Sequence, residues 1–554
     1  MALPRMNSAG LIDLVPASLR QQWKDEGIYP DRPVYRLFAD QVQRRPAAPA
    51  VLMPGRVVSY AQLDQAVRRL AGSFRRMGLV AGDVIAYQLP NGWQGCAIDL
   101  AAAALGAVVA PLPPGRGKLD IASLLRRSAA RAFIVEPREA QTDMCQLVEA
   151  LRPTLLSLRF PIVDGPPRAG WQTLDSLLRG PALADAALAE VDADAPVRLL
   201  VSSGTESEPK LVAYSHNALV GGRGRFLQRL HPDGPGFRGL YLVPLGSSFG
   251  SSASCGVLSW LGGSIAVLPH FDTAAAIDAI GELRPTHLLG VPTMFQRMAA
   301  DPALSAVDTS SLRAIVSGGA MIDPATIRRC TEAFGCGFVS LYGSADGVNC
   351  HSLPDDPPDV AQYSVGRPNP SVCDIRIVDE DGRQQAPGQH GEIMARGPLS
   401  PMQYVNAPEL DACYRSRDGW VRTGDLGHID PLGYLVLSGR KKDIIIRGGT
   451  NISPVQIESL ATAHPDIVGA ACIPVPDTDL GQRLCLCVTL KPGASRPSLD
   501  DVNRHFRLHG LAADRLPDYL CFCRQLPLGP AGKVDKKRLA ADLRFLGTAG
   551  STPA

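Results

Sequence analysis

Short apolar runs alternate with stretches of helical period along most of the chain, and this alternation limits the fold more than any other feature. Apolar residues recur at helical spacing over 61–77 and again over 93–106, with a β-rich run at 84–89 between them. Runs of the same kind stand at 198–201, 239–244, 264–268, 287–291 and 314–316, each between helical stretches. Strands buried on both faces read as continuous apolar runs, because the connecting helices cover both sides. The pattern therefore predicts α/β layers with mainly parallel sheets. Beyond about residue 366 the chain changes to short β segments with turn signals at 379–382, 418–419 and 430–433. Helices at 454–463 and 498–510 and strands at 469–474 and 484–490 then form a smaller α+β unit, expected to begin near Gly439.

A chain of 554 residues exceeds one ordinary core. Two domains are expected, 1–438 and 439–554, the first with layered sheets and a β subdomain. The formal charge of +2 supplies no single-sign field to attract nucleic acid or an anionic membrane surface, so neither is expected as a partner. The most apolar stretch, 96–112, is interrupted by Asp99 and Pro111 and is too short to span a bilayer. The first fifteen residues lack the pattern of a signal peptide. The 13 cysteines contain no CxxC, and the pairs Cys485/Cys487 and Cys521/Cys523 have the spacing of strand residues facing one way. These read as structural thiols, reduced in a cytoplasmic setting.

At 202–210 an apolar strand runs into Ser202, Ser203, Gly204, Thr205, Glu206, Ser207, Glu208, Pro209 and Lys210, followed by another β-like run. Hydroxyls, backbone N–H groups and one lysine on a loop can wrap phosphate oxygens. This is not a Walker A loop, since Pro209 stands where the second glycine belongs and Leu211 where Ser or Thr belongs. Further on, Gly246, Ser248 and Gly250 fit GxSxG after an apolar strand, the nucleophile elbow of a serine hydrolase. That motif is short, and it leaves the rest of the chain unexplained.

The phosphate loop resembles that of the superfamily of acyl-CoA synthetases, adenylation domains and luciferases, and five further motifs follow in the family's order. Ser317 to Ala320 resembles the segment lining the acyl and adenine sites. Leu341 to Asp346 resembles the aromatic-Gly-x-x-acid motif, and Trp420 to Asp425 the ribose-binding motif. Gly439 to Ile452 resembles the hinge and its following loop, and Leu526 to Lys533 the catalytic-lysine motif. The stretch 342–357 is most similar to stand-alone aryl-acid AMP ligases. The resemblance implies an ATP-dependent ligase that turns a carboxylic acid into acyl-AMP and passes it to CoA or a carrier-protein phosphopantetheine thiol. A transfer-only relative that makes no adenylate is the alternative, and retention of Lys533 and Asp425 argues against it.

Carboxylate attack on the α-phosphate brings two anions together, so cations and hydrogen-bond donors must compensate. By the resemblance, Lys533 bridges carboxylate and phosphate, Lys210 and Asp346 complete the catalytic set, and Asp346 is the Mg²⁺-associated carboxylate. Ser202, Ser203, Gly204, Thr205, Gly319, Ala320, Tyr342, Gly343, Ser344, Asp425 and Arg440 hold the nucleotide, Asp425 through the ribose hydroxyls. Lys442 is the hinge of a mobile C-terminal domain, and Gly448 and Gly449 border the thiol tunnel. Ser247, Phe249, Gly250 and Gly318 line the acyl pocket. Gly250 stands where α-amino-acid domains place an Asp for the substrate ammonium. The run of small residues over 246–256 points instead to a roomy, mostly apolar pocket for a bulky aryl, alicyclic or terpenoid-like acid of secondary metabolism.

Overall fold

The computed structural model describes residues 11–139, 142–202, 209–320, 322–357, 359–447, 450–528 and 534–542. Two eight-stranded sheets make up most of it. In the first, the parallel strands Gly337–Gly343, Ala314–Gly318, His287–Gly290, Arg238–Tyr241, Ser264–Val267 and Pro49–Met53 lie side by side in that order. In the second, Pro196–Ser202, Val108–Pro111, Val84–Gln88, Ala132–Val135 and Phe160–Val163 do the same. Antiparallel strands edge both sheets, among them Asn349–His351 in the first and Lys210–Ser215 with Gln403–Tyr404 in the second.

Neighbouring residues of one strand point into different cores, which explains the unbroken apolar runs. Ile85 and Tyr87 join the core between the sheets, while Val84 and Ala86 face an outer core. Leu289 and Leu288 divide in the same way in the other sheet. The helices Tyr60–Arg76 and Trp93–Leu105 fill the central layer. In Trp93–Leu105 every residue from Gly95 onward is buried, and its small side chains let two sheets approach it. Asp99, the charge that interrupts this apolar stretch, is held by Arg198 Nη1 at 2.5 Å, Ser254 Oγ at 2.7 Å and Tyr87 Oη at 3.1 Å. A buried carboxylate is tolerable only when it is bonded in this way. Among the described residues no helix is long and apolar enough to cross a membrane.

A four-stranded antiparallel sheet follows, in the order Asp374–Val378, Gly391–Arg396, Val421–Ile429, Leu435–Arg440. The short turn Lys441–Asp443 leads from it into a last five-stranded sheet with the helices Pro454–Thr462 and Leu499–Leu508. There Cys485 and Cys487 share a sheet face with Cys521, whose Sγ lies 3.7 Å from that of Cys485. All 13 cysteines are free thiols.

Three buried histidines give this core a pH dependence. Burial lowers His216, His287 and His351 to about 3 each. They are neutral when folded and take up protons when unfolded, so stability is complete above about pH 6.5 and falls as pH drops toward 3. Together they should remove about 4 kcal/mol between pH 7 and 5.5. A thermal midpoint that does not move over that window would contradict this.

Candidate active site

The first sheet delivers its last two parallel strands to one place. Gly318 at the end of Ala314–Gly318 pairs with Leu341, so Gly319 and Tyr342 emerge together at the carboxyl ends of the strands. Gly319 has φ +86°, a conformation that favours glycine, and Ala320 beside it is exposed. Tyr342 Oη donates to Asp425 Oδ2 at 2.7 Å. Asp425 lies on Val421–Ile429, paired in register with Arg440 on the next strand, and Arg440 Nε meets Asp425 Oδ1 at 3.1 Å. Thr423 Oγ accepts from the Asp425 N–H at 3.1 Å and donates to the Ile393 carbonyl at 2.8 Å, which pins the turn. Asp425 is 8 % exposed, and its carboxylate is oriented by a phenol and a guanidinium. Burial and this carboxylate together keep the Tyr342 phenol protonated, well above the ordinary tyrosine range.

A second cluster lies one turn further along the chain. Past Gly343, Ser344 Oγ accepts from the Asp346 N–H at 3.1 Å, and Asp346 Oδ1 accepts from Tyr404 Oη at 2.7 Å. Lys210 Nζ lies 5.6 Å from the Tyr404 ring centroid and 4.3 Å from that of Tyr414. Tyr404 therefore ties Lys210 to Asp346, although the three are far apart in sequence. Their strands bring them together, since Lys210–Ser215 pairs with Gln403–Tyr404. Ser202 and Lys210 are register partners in an antiparallel pair, so the intervening loop links two strands and not a strand to a helix as in a Walker A site. Ser203, Gly204, Thr205, Glu206 and Glu208 on that loop, Gly448 and Gly449, and Lys533 lie outside the described residues.

Near the last of these, Leu528 and Val534 pair antiparallel across the 529–533 segment. Lys536 is engaged elsewhere, its Nζ 2.7 Å from Glu458 Oε1 on the helix Pro454–Thr462. Lys442 is exposed on the connecting turn, and its neighbour Lys441 pairs with Glu392 at 3.3 Å. Gly439 just before the turn has φ +127°, and a Cβ there would lie 2.9 Å from Ser453 Oγ.

The loop after Arg238–Tyr241 approaches the same strand ends. A Cβ on Gly318 would come within 3.4 Å of the Phe249 ring, so these two abut. Ser247 Oγ donates to the Pro244 carbonyl at 2.7 Å and accepts from the Gly250 N–H at 3.0 Å, which spends this side chain on the turn. A Cβ on Gly250 would stand 2.2 Å from the Pro244 carbonyl oxygen. Glycine at 250 is thus required by backbone packing, and the missing carboxylate there has a steric cause as well as any bearing on substrate. Ser248 Oγ has Arg223 Nη2 as its partner at 3.4 Å and its carbonyl accepts from Nη1 at 2.7 Å. A guanidinium cannot serve as the general base of a serine nucleophile, so the GxSxG pattern here is a loop and not an elbow.

Sequence reasoning passed over Tyr404, Tyr214 and Arg223, which carry no motif of their own, and gave Thr423 no role within its motif. The π-wound segments Ala218–Arg223 and Ala253–Leu261 beside the loop also have no signature at a period of 3.6.

Known proteins share the sequence pattern and the fold. The family model described as AMP-binding enzyme matches residues 38–405, and that of the AMP-binding enzyme C-terminal domain matches 456–533. The chain is 31% identical over 534 residues to the pyochelin synthase PchD of Pseudomonas aeruginosa, covering 96% of each. It is 31% identical over 542 residues to the salicyl-AMP ligase/salicyl-S-ArCP synthetase of Mycobacterium tuberculosis, covering 95% of this chain and 94% of that one. Among solved structures it resembles the amide bond synthetase McbA of Marinactinospora thermotolerans, with a TM-score of 0.80, 29% identity and coverage of 92% and 99%. ATP-bound MatB of Rhodopseudomonas palustris gives a TM-score of 0.83 at 25% identity, with coverage of 93% and 100%. With the fold, the paired strand ends and the collinear motifs in agreement, the chain belongs to the AMP-binding enzyme family of adenylate-forming ligases.

Proposed function

We propose that the chain activates a bulky aryl or alicyclic carboxylic acid as its acyl-adenylate and then transfers the acyl group to the thiol of CoA or of a carrier protein. The observation that carries this reading is the Asp425 carboxylate held between Tyr342 and Arg440 at the strand ends. A carboxylate fixed in this way can accept bonds from vicinal ribose hydroxyls, and the Tyr342 ring beside it offers adenine a face for stacking. Relatives named as acting on salicylate and on a substituted naphthoate favour an aryl acid.

In the first half-reaction a carboxylate oxygen of the acid bonds to the α-phosphorus, and the bond to the pyrophosphate bridging oxygen breaks with its electron pair. Lys533 spans the two anions, with Lys210, Ser202, Ser203, Gly204 and Thr205 around the departing phosphates. Asp346 is suited to a Mg²⁺ ion that takes its other ligands from phosphate and water. Among the described residues no set of three or more His, Cys, Asp or Glu forms a protein cage for a metal. Such an ion would neutralise phosphate charge, and Tyr404 holds the carboxylate in place for it. In the second half-reaction the thiol sulfur attacks the acyl carbon and AMP leaves. We place the domain boundary at 439 and the hinge at Lys442, and assign Gly448 and Gly449 to the thiol approach and Phe249 and Gly318 to the acyl pocket.

Pyrophosphate exchange into ATP with a panel of acids tests this reading. Exchange should depend on added aryl or alicyclic acid. Exchange supported by α-amino acids and not by these would overturn the substrate assignment.

A further inference from the structure

Arg223 is a buried cation with no counter-ion among the described residues. It is 7 % exposed, and among the described residues no carboxylate pairs with it. The titratable groups around it are Tyr214, Cys255 and a second guanidinium, Arg198. Arg198 is itself paired with a buried carboxylate, Asp99, at 2.5 Å. Arg223 Nη1 donates to the Ser248 carbonyl at 2.7 Å, Nη2 reaches Ser248 Oγ at 3.4 Å, and Nε has no partner. Leaving such a group uncompensated is costly, and burial accordingly pushes its pKa down from the usual value for arginine.

Its position says what could complete it. Arg223 ends the π-wound segment Ala218–Arg223, which packs against the second, Ala253–Leu261, and such turns gather at functional sites. On one side is the 244–252 loop. On the other the guanidinium lies 5.7 Å from the centroid of Tyr214, whose hydroxyl donates to the carbonyl of Ala345, next to Asp346. The cation therefore stands between the loop assigned to the acyl group and the turn assigned to the nucleotide.

We propose that Arg223 is a specificity-determining residue whose guanidinium pairs with a second acidic oxygen on the substrate. The preferred acid then carries a phenolic hydroxyl or a second carboxylate close to the carboxylate that is activated. This rests on the reading of the 244–252 loop as a wall of the acyl pocket, and it gives that otherwise apolar pocket one cationic side.

Matched pairs of acids that differ only in the second oxygen test it: benzoate against salicylate and phthalate, and 2-naphthoate against 3-hydroxy-2-naphthoate. The native enzyme should exchange pyrophosphate with the better of the oxygenated partners at about 10-fold or higher kcat/KM. Arg223→Gln should remove that preference, raising KM for oxygenated acids by about 10- to 100-fold while changing the plain acids little. Arg223→Lys, which keeps the charge, should restore part of it. Equal use of both members of each pair by the native enzyme overturns the proposal, as does an Arg223→Gln loss that falls equally on both. The comparison within the native enzyme decides the matter if Arg223→Gln does not fold. If no acid supports exchange, the adenylation reading fails, and calorimetric titration of the same pairs into native protein still decides the role of Arg223: selective binding of the oxygenated member supports it, and equal or no binding overturns it.

Discussion

Replacing Lys533 with alanine should lower the rate of adenylate formation by about 1,000-fold, the range expected when a group that stabilises transition-state charge is removed. Attack of one anion on another leaves the developing charge without its bridging cation, whereas ground-state nucleotide affinity depends mainly on other residues. KM for ATP should therefore change by less than about 5-fold. Transfer from chemically prepared acyl-AMP to the thiol should survive, because the proposed mechanism uses the lysine only in the first half-reaction. Lys536 is the internal control. Its ammonium pairs with Glu458 at 2.7 Å and fastens the helix Lys536–Asp542 to Pro454–Thr462. Lys536→Ala should lower thermal stability while leaving the chemistry intact. Stopped-flow or quench measurement of acyl-AMP with both variants separates the two roles, and equal kinetic loss in both would argue that the effect at 533 is structural.

The second large effect is expected at Asp425. Asp425→Ala removes the acceptor of Tyr342 at 2.7 Å and the partner of Arg440 at 3.1 Å. Hydrogen bonds to a charged group contribute about 1.5–3 kcal/mol each, so KM for ATP should rise by about 10- to 100-fold. The fold should hold, because the side chain of Arg440 is 39% exposed and can be solvated without its partner. Asp425→Asn, which retains an acceptor for Tyr342, should lie between the two. An unchanged KM for ATP in acid-dependent exchange would remove Asp425 from the nucleotide site.

Much of this architecture can be read in the linear chain, for a physical reason. Strands such as 287–291 and 314–316 are buried on both faces, so their residues form short continuous apolar runs between helices, and His287–Gly290 and Ala314–Gly318 are the strands found there. Tyr342 and Asp425 are legible because they lie within contiguous motifs, Tyr342 near the end of such a strand and Asp425 within the antiparallel strand Val421–Ile429. Tyr404 is invisible in this way. It reaches Asp346 only because its two-residue strand pairs with Lys210–Ser215, a contact between distant parts of the chain. Arg223 is concealed differently, since it stands among Gly221, Gly222, Gly224 and Arg225 in no recognisable motif. The structure buries that arginine, because glycines let the segment pack closely, Gly222 against Leu399 and Gly224 against Trp260. At Gly250 the residue was legible and its cause was not. The small side chain relates to a carbonyl 2.2 Å from the position of a Cβ, a fact that only the folded backbone contains.

The central claim is that a carboxylate oxygen attacks the α-phosphorus of ATP, and oxygen tracing tests this most directly. An acid that supports exchange is labelled with ¹⁸O in both carboxylate oxygens and turned over with ATP and thiol, and the nucleotide and phosphate products are weighed by mass spectrometry. The account predicts AMP carrying one ¹⁸O and unlabelled pyrophosphate. Label in inorganic phosphate with ADP as the nucleotide product, or AMP without label, would contradict it.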